Sequence, residues 1–163
     1  MRHISLSTCG LCDKIDKLAQ EDLQLTLSIS LHAFNDEVRS EIMPVNRKYN
    51  IQTLLDTCRR YIAKTGRRIS FEYTLIAGKN NSPKQAQKLA KLLKGMLCHV
   101  NLIPVNEVKE CGFETSSAQR VAKFRDTLEK CGINATVRRK LGSDIDASCG
   151  QLRRKQMRKE QPQ

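Results

Sequence analysis

Seven cysteines in 163 residues are the first candidates for chemistry. Cys9 and Cys12 form a C-x-x-C, the spacing of a redox dithiol or of half a zinc site. A structural zinc site needs a second ligand pair, and the chain holds no further C-x-x-C and no H-x-x-x-H. A redox dithiol opens the helix after the first strand of a βαβ unit, a placement met only roughly. The plainer expectation is two small thiols in a loop. Cys58 falls at the apolar spacing of a helix and reads as core. Cys98, opening a strand, and Cys131, closing a helix, read as packing residues. Cys111, in "NEVKECGFE", has no companion residue to activate it. Cys149 differs: it stands in "GSDIDASCGQLRRK", bracketed by "VRRK" (137–140) and the basic tail "RRKQMRKE". Positive neighbours lower a thiol pKa and favour the nucleophilic thiolate. The same charges suit phosphates of a nucleic acid.

Two hydrophobic periods alternate along the chain and set where such groups sit. Residues 23–32 alternate strictly, with Leu25, Leu27, Ile29 and Leu31 opposite Thr26, Ser28, Ser30 and His32. Residues 3–7, 68–76, 99–103 and 134–139 also read as strands. Asn50 caps a helix with Ile51, Leu54, Leu55, Cys58 and Ile62 on one stripe, ended by Gly66. Ser82 and Pro83 open a second helix and residues 115–132 form a third. Repeated strand–helix alternation signifies parallel α/β architecture. Strands covered on both faces read as continuous apolar runs, whereas here one face carries Ser, Thr, His, Asn and Glu72. The sheet is therefore expected to curl, with helices outside and a polar lumen that binds a ligand at the C-terminal strand ends. Those ends are Ser7 and Thr8, Ser30 to His32, Leu75 and Ile76, and Asn101 to Asn106. His32 reads equally as a structural histidine or a ligand contact. Glu72 reads as a hydrogen-bond organiser. About five strands are too few for an eight-stranded barrel, so an open half-barrel or the C-terminal portion of a longer enzyme is expected. Residues 1–141 form this incomplete barrel, and 142–163 a cysteine-bearing loop with a basic tail.

The formal charge of +12 calls for a polyanionic partner such as RNA, DNA or a membrane surface. Tryptophan is absent and aromatics make up 4%, so base stacking is not the expected mode of contact. No apolar run approaches a transmembrane span, and "MRHISLSTCG" lacks the apolar stretch of a signal peptide. An odd number of irregularly spaced cysteines without such a signal argues for reduced thiols and a cytoplasmic location.

Four blocks in order, "RHISLSTCG", "SISLHAFNDEVRSEIMPVNRKYN", "NLIPVN" and "SDIDASCGQL", resemble the RlmN/Cfr radical S-adenosylmethionine rRNA methyltransferases. The resemblance runs from Arg2 to Leu152. It implies the C-terminal part of a partial (β/α) TIM-like barrel that binds S-adenosylmethionine through Ser7, Ser30, Leu31, His32 and Asn106. It also implies that Cys149 is the cysteine methylated on sulfur. In that family a second S-adenosylmethionine is cleaved at a [4Fe-4S] cluster. The resulting radical activates the S-methyl group, which adds to an electron-poor adenine carbon, and a disulfide with a second cysteine releases the product. The blocks read closer to the carbon-2 (RlmN) type than to the carbon-8 (Cfr) type. Large-subunit rRNA is the implied substrate, with tRNA open as a second.

This chain has no C-x-x-x-C-x-x-C cluster motif, no glycine-rich S-adenosylmethionine motif before its first strand, and no family-type partner cysteine. The cluster ligands therefore belong to the full-length protein. The expectation is a catalytic portion inactive by itself, with a missing N-terminal half as a partner. A non-catalytic RNA-binding barrel remnant is the rival. A half-barrel metabolic enzyme using "AGKNNSPK" (77–84) as a phosphate loop ranks below both, since the spacing is not that of a P-loop.

Overall fold

In a computed structural model of the chain, residues 4–105 and 115–138 are described. Five strands, β1 (Ile4–Thr8), β2 (Leu25–Ser30), β3 (Ile69–Leu75), β4 (Cys98–Pro104) and β5 (Ala135–Val137), lie in one sheet in the order of the chain. Every pairing is parallel. The helices are α1 (Cys12–Leu18), α2 (Asp36–Ile42), α3 (Ile51–Thr65), α4 (Pro83–Leu93) and α5 (Ala118–Lys130), with a 3₁₀ turn at Pro44–Arg47. Sequential strand order without a switch point is the winding of a barrel rather than of a doubly wound sheet.

The register makes the two faces chemically distinct. One row runs Thr8–Ile29–Phe71–Val100–Ala135 across the sheet. From Ile29 to Val100 it is completely buried. The neighbouring rows are Ser7–Ser28–Ser70–His99 and Ser30–Glu72–Asn101–Thr136. The core joins the apolar rows to stripes on the helices: Leu54, Leu55 and Cys58 of α3, Leu89 and Leu93 of α4, and Phe124 and Leu128 of α5. Phe124 seats against Tyr73 with ring centroids 5.3 Å apart. On the opposite side Ser30, Ser70, Glu72, His99 and Asn101 remain half-exposed. The alternation read from the sequence is therefore a covered apolar face and an open polar one.

The ends of the long helices follow local chemistry. Asn50 accepts a hydrogen bond from the Thr53 amide and Gly66 closes α3 in the left-handed region at φ 66°. Ser82 and Gln85 form a reciprocal capping box, and Ser117 caps α5. Cys12 is not a loop thiol: it is the first residue of α1 and is buried. Cys131 is exposed, contrary to its reading as a packing residue, because it lies past the last turn of α5 where the chain leaves the core. Cys98 is buried as expected. At the sheet edge, β1 pairs only with β2, leaving Ile4 63% and Leu6 42% exposed.

Cys58 is fully enclosed, and burial pushes its thiol up to about 12. Its truncation to alanine is expected to cost about 1–2 kcal/mol in urea unfolding, whereas Cys131→Ala leaves the midpoint unchanged.

Candidate functional site

The polar face ends in a mouth built where β1, β2 and β3 stop. The strand ends there are anchored by Arg39, which is 0% exposed although charged. From α2 it reaches back to the strand ends. Nη2 donates to the carbonyls of Cys9 (2.9 Å) and Ser30 (3.1 Å), and Nε donates to the carbonyl of Leu31 (3.2 Å). Nη1 donates to Asn46 Oδ1 (3.0 Å) and to the Tyr49 carbonyl (3.4 Å). Among the described residues no carboxylate touches it directly. The nearest link runs through Asn46, whose amide donates to Asp36 Oδ1 at 3.0 Å and to Ser40 Oγ at 2.9 Å. Burial lowers the guanidinium pKa, but arginine stays charged in proteins. Five accepting oxygens replace its hydration. Gly10 completes the arrangement: it has φ 101°, and a Cβ there would meet Leu54 at 3.0 Å and Arg39 Nη2 at 3.3 Å.

Beyond Ser30 the backbone turns sharply. The amides of Leu31 and His32 both donate to the Glu72 carbonyl, at 3.1 and 3.2 Å, so β2 ends in a bulge. His32 occupies the left-handed region at φ 57°. Its carbonyl accepts from Asn80 Nδ2 (2.8 Å), and its Nδ1 accepts from the Thr74 amide (3.1 Å). Asn80 is completely buried and also binds the Thr74 carbonyl (2.7 Å) and the Ile76 amide (2.7 Å). It thereby clamps the end of β3 to the end of β2. Burial, aided by the Arg39 charge, lowers the His32 pKa to about 4. The ring is neutral at pH 7, and because Nδ1 accepts, its proton sits on Nε2. Nε2 has no partner among the described residues, which leaves a donor at the mouth. The structural role expected of His32 is therefore carried by Nδ1, while Nε2 is unengaged among the described residues.

Of the residues expected to contact S-adenosylmethionine, Ser30 and His32 meet at this mouth. Ser7 lies on the same face of β1, paired with Ser28 one pleat below Ser30. Leu31 has its side chain fully buried and its amide and carbonyl bonded to Glu72 and Arg39, so it fixes the backbone between the other two. Asn106 and Cys149 lie outside the described residues. Glu72 is the expected organiser: its carboxylate accepts from Asn101 Nδ2 at 2.9 Å and Ser70 Oγ at 3.5 Å. Sequence reasoning missed Arg39, Asn46 and Asn80, since a charged or amide residue carries no mark of burial. The "NDEVRSEIMPVN" block was the only signal for the first two.

The described residues do not fit a [4Fe-4S] cluster. Among the described residues no group of three or more His, Cys, Asp or Glu could hold a metal. Cys12 is buried, its thiol pKa raised mainly by burial, and its Sγ donates to the Gly10 carbonyl at 3.7 Å. The polar mouth does fit a nucleoside bearing hydroxyls and charged ends, since its hydroxyls, amide, carboxylate and Nε2–H supply donors and acceptors on one open face.

A partial barrel of sequential parallel strands with a polar C-terminal mouth is the fold of radical S-adenosylmethionine proteins, and solved structures agree. A radical SAM methyltransferase from Sphaerobacter thermophilus superposes with TM-score 0.87 at 51% identity, covering 91% of this chain and 43% of that one. A domain of a pyruvate-formate lyase-activating enzyme from Bacteroides vulgatus shares the fold, with TM-score 0.67 at 21% identity over 84% of this chain and 81% of that one. By sequence the chain is similar to RlmN proteins over nearly its whole length. It is 58% identical over 153 residues to a probable dual-specificity RNA methyltransferase RlmN of Clostridium perfringens, covering 94% of this chain and 44% of that protein. A like-named protein of Caldanaerobacter subterraneus is 57% identical over 157 residues, covering 96% and 46%. The chain spans less than half the length of these relatives. No family model matches it.

Two outcomes follow from this geometry. Arg39→Met strands the carbonyls of Cys9, Ser30 and Leu31 and is expected to cost about 3 kcal/mol or more in urea unfolding. Arg39→Lys recovers only a fraction, because an ammonium cannot fork among these acceptors. With His32 lowered to about 4, the unfolded chain binds the extra proton between about pH 6.5 and 4. Stability is therefore full above 6.5 and falls on acidification through that window. His32→Asn, which tolerates the left-handed backbone, should flatten the midpoint-versus-pH curve. Part of the slope persists through His99, whose pKa burial also lowers.

Proposed function

We propose that this chain is the S-adenosylmethionine-binding, thiol-bearing part of a radical S-adenosylmethionine methyltransferase that modifies carbon 2 of an adenine in large-subunit rRNA, with tRNA as a second substrate. The observation that carries this reading is the row Ser30–Glu72–Asn101 opening onto His32 at the ends of parallel strands. The kinship with RlmN proteins over 94% of the chain supports it. Ser7, Ser30, His32 and Asn106 hold the cofactor, and Leu31 fixes the backbone between Ser30 and His32. When bound, the cofactor supplies the transferred methyl group. His32 Nε2–H donates a hydrogen bond there, because Nδ1 is committed to the Thr74 amide. Glu72, engaged by Asn101, orients the polar row rather than moving a proton. Cys149 acts as the nucleophile, its thiolate favoured by Arg138, Arg139 and Lys140 before it and Arg153 and Arg154 after it.

The adenine carbon between two ring nitrogens is electron-poor, so polar methyl transfer to it fails. A carbon held covalently on a positioned thiol gains the benefit of proximity instead. The cluster is supplied by a companion half of the full-length protein, since its cysteine triad is absent from these 163 residues. The protein acts in the cytoplasm.

With that half supplied, Cys149→Ala is expected to abolish methyl transfer to RNA while S-adenosylmethionine binding by equilibrium dialysis stays within twofold. Retained transfer would remove Cys149 from the mechanism. Reconstitution of the 163-residue chain alone with iron and sulfide is expected to give no 5′-deoxyadenosine. Measurable product would show that cluster ligands reside here after all.

A further inference from the structure

Between Tyr73 and Val105 the chain carries five lysines and neither an aspartate nor a glutamate. Lys79 is held by Glu41 at 2.9 Å. The other four, Lys84, Lys88, Lys91 and Lys94, are exposed on α4 and just past it, and no described carboxylate pairs with any of them. Lys84, Lys88 and Lys91 repeat at i, i+4 and i+7, which puts them on one helix face along about 10 Å of axis. That placement opposes folding. Like charges at i, i+3 and i, i+4 repel. A cation in a helix's first turn, as at Lys84, also faces the positive end of the helix dipole. The first turn of α4 contains no acid, and neither does that of α5, where Arg120 occupies the equivalent region.

The face borders the mouth. Lys88 Nζ lies 5.5 Å from the ring centroid of Phe34, two residues beyond His32. Between the starts of α4 and α5 a cleft of about 440 Å³ is lined by Gly78, Asn81, Ser82, Ser117 and Arg120. A membrane surface is the poorer complement, because an interfacial helix must offer an apolar face. The apolar face of α4, Ala86, Leu89, Ala90 and Leu93, is already buried in the core.

We propose that the lysine face of α4, extended by Arg120, is the surface on which the phosphate backbone of the RNA substrate lies, presenting the target base to the mouth at His32. The proposal rests on the RNA-methyltransferase reading above and assigns it a place on the molecule. Binding is through phosphates, so it is salt-dependent and carries little sequence preference of its own.

The test measures fluorescence anisotropy of a labelled RNA hairpin of about 30 nucleotides against the full 163-residue chain, from 50 to 250 mM salt. The triple variant Lys84→Gln, Lys88→Gln, Lys91→Gln is compared with Lys17→Gln, Lys64→Gln, Arg68→Gln, which removes equal charge at the N-terminal ends of the strands. Glutamine matches lysine in helix propensity, so circular dichroism melting should equal wild type for the α4 triple. Expected for that triple are an affinity loss of about tenfold or more and a fall of about 2 in the log–log salt slope, at about 0.7–0.9 per phosphate contact. The control is expected to lose less than threefold at unchanged slope. Equal losses in both triples, or wild-type affinity in the α4 triple, would overturn the surface. Equilibrium dialysis of S-adenosylmethionine separates the two readings. RNA binding unchanged in the α4 triple with cofactor binding intact removes only this surface. A wild-type chain that prefers anionic phosphatidylserine vesicles to the hairpin, or binds no hairpin at 50 mM salt, removes the RNA reading and the surface with it.

Discussion

The mouth depends on a buried cation with no counter-ion in contact among the described residues. An unpaired charge in a protein interior is costly unless hydrogen bonds replace its water, and Arg39 meets that condition with backbone and amide oxygens alone. Because three of those oxygens are the carbonyls of Cys9, Ser30 and Leu31, the ends of two strands are held in one geometry by a single planar group. The demand runs both ways. The guanidinium needs the carbonyls to be desolvated without loss, and the carbonyls need it because strand pairing has ended. Gly10 and Asn46 exist in this scheme to give it room and direction.

A second constraint, the division of the sheet into dry and wet faces, gives that geometry something to present. Helices contribute Leu, Ile and Phe to the dry side, and the wet side keeps its serines, Glu72 and Asn101 within hydrogen-bonding reach of one another. Glu72 joins the two constraints. Its side chain belongs to the wet row, while its carbonyl receives both amides of the turn that ends β2. Polar groups on the wet face are thus fixed by the same peptide units that terminate the strands, which is why they gather at one end of the sheet.

Much of this was legible in the sequence, for identifiable reasons. Strict alternation from Leu25 to Ser30, the stripe Ile51–Leu54–Leu55–Cys58, and the caps Asn50 and Ser82 are local signals, and local structure obeyed them. The short helices were not legible. In α1 only Cys12 and Ile15 are buried, and in α2 the sole buried residue is Arg39, so neither has an apolar period to read. Cys131 misled because residue type predicts burial only where the chain still faces the core. The clamp by Asn80 links residues 48 positions apart, and no pattern within a window records such a contact. His32 was correctly placed at a strand end, but its division into one committed and one unengaged nitrogen required the Thr74 amide to be located.

The left-handed backbone at His32 has an evolutionary corollary. At φ 57° a β-branched residue carries a penalty of about 1–2 kcal/mol before any contact is counted, whereas asparagine, aspartate and glycine enter almost freely. The codon therefore has a short permitted alphabet set by torsion, and only histidine within it carries an imidazole. Substitution at this site is screened first by backbone geometry.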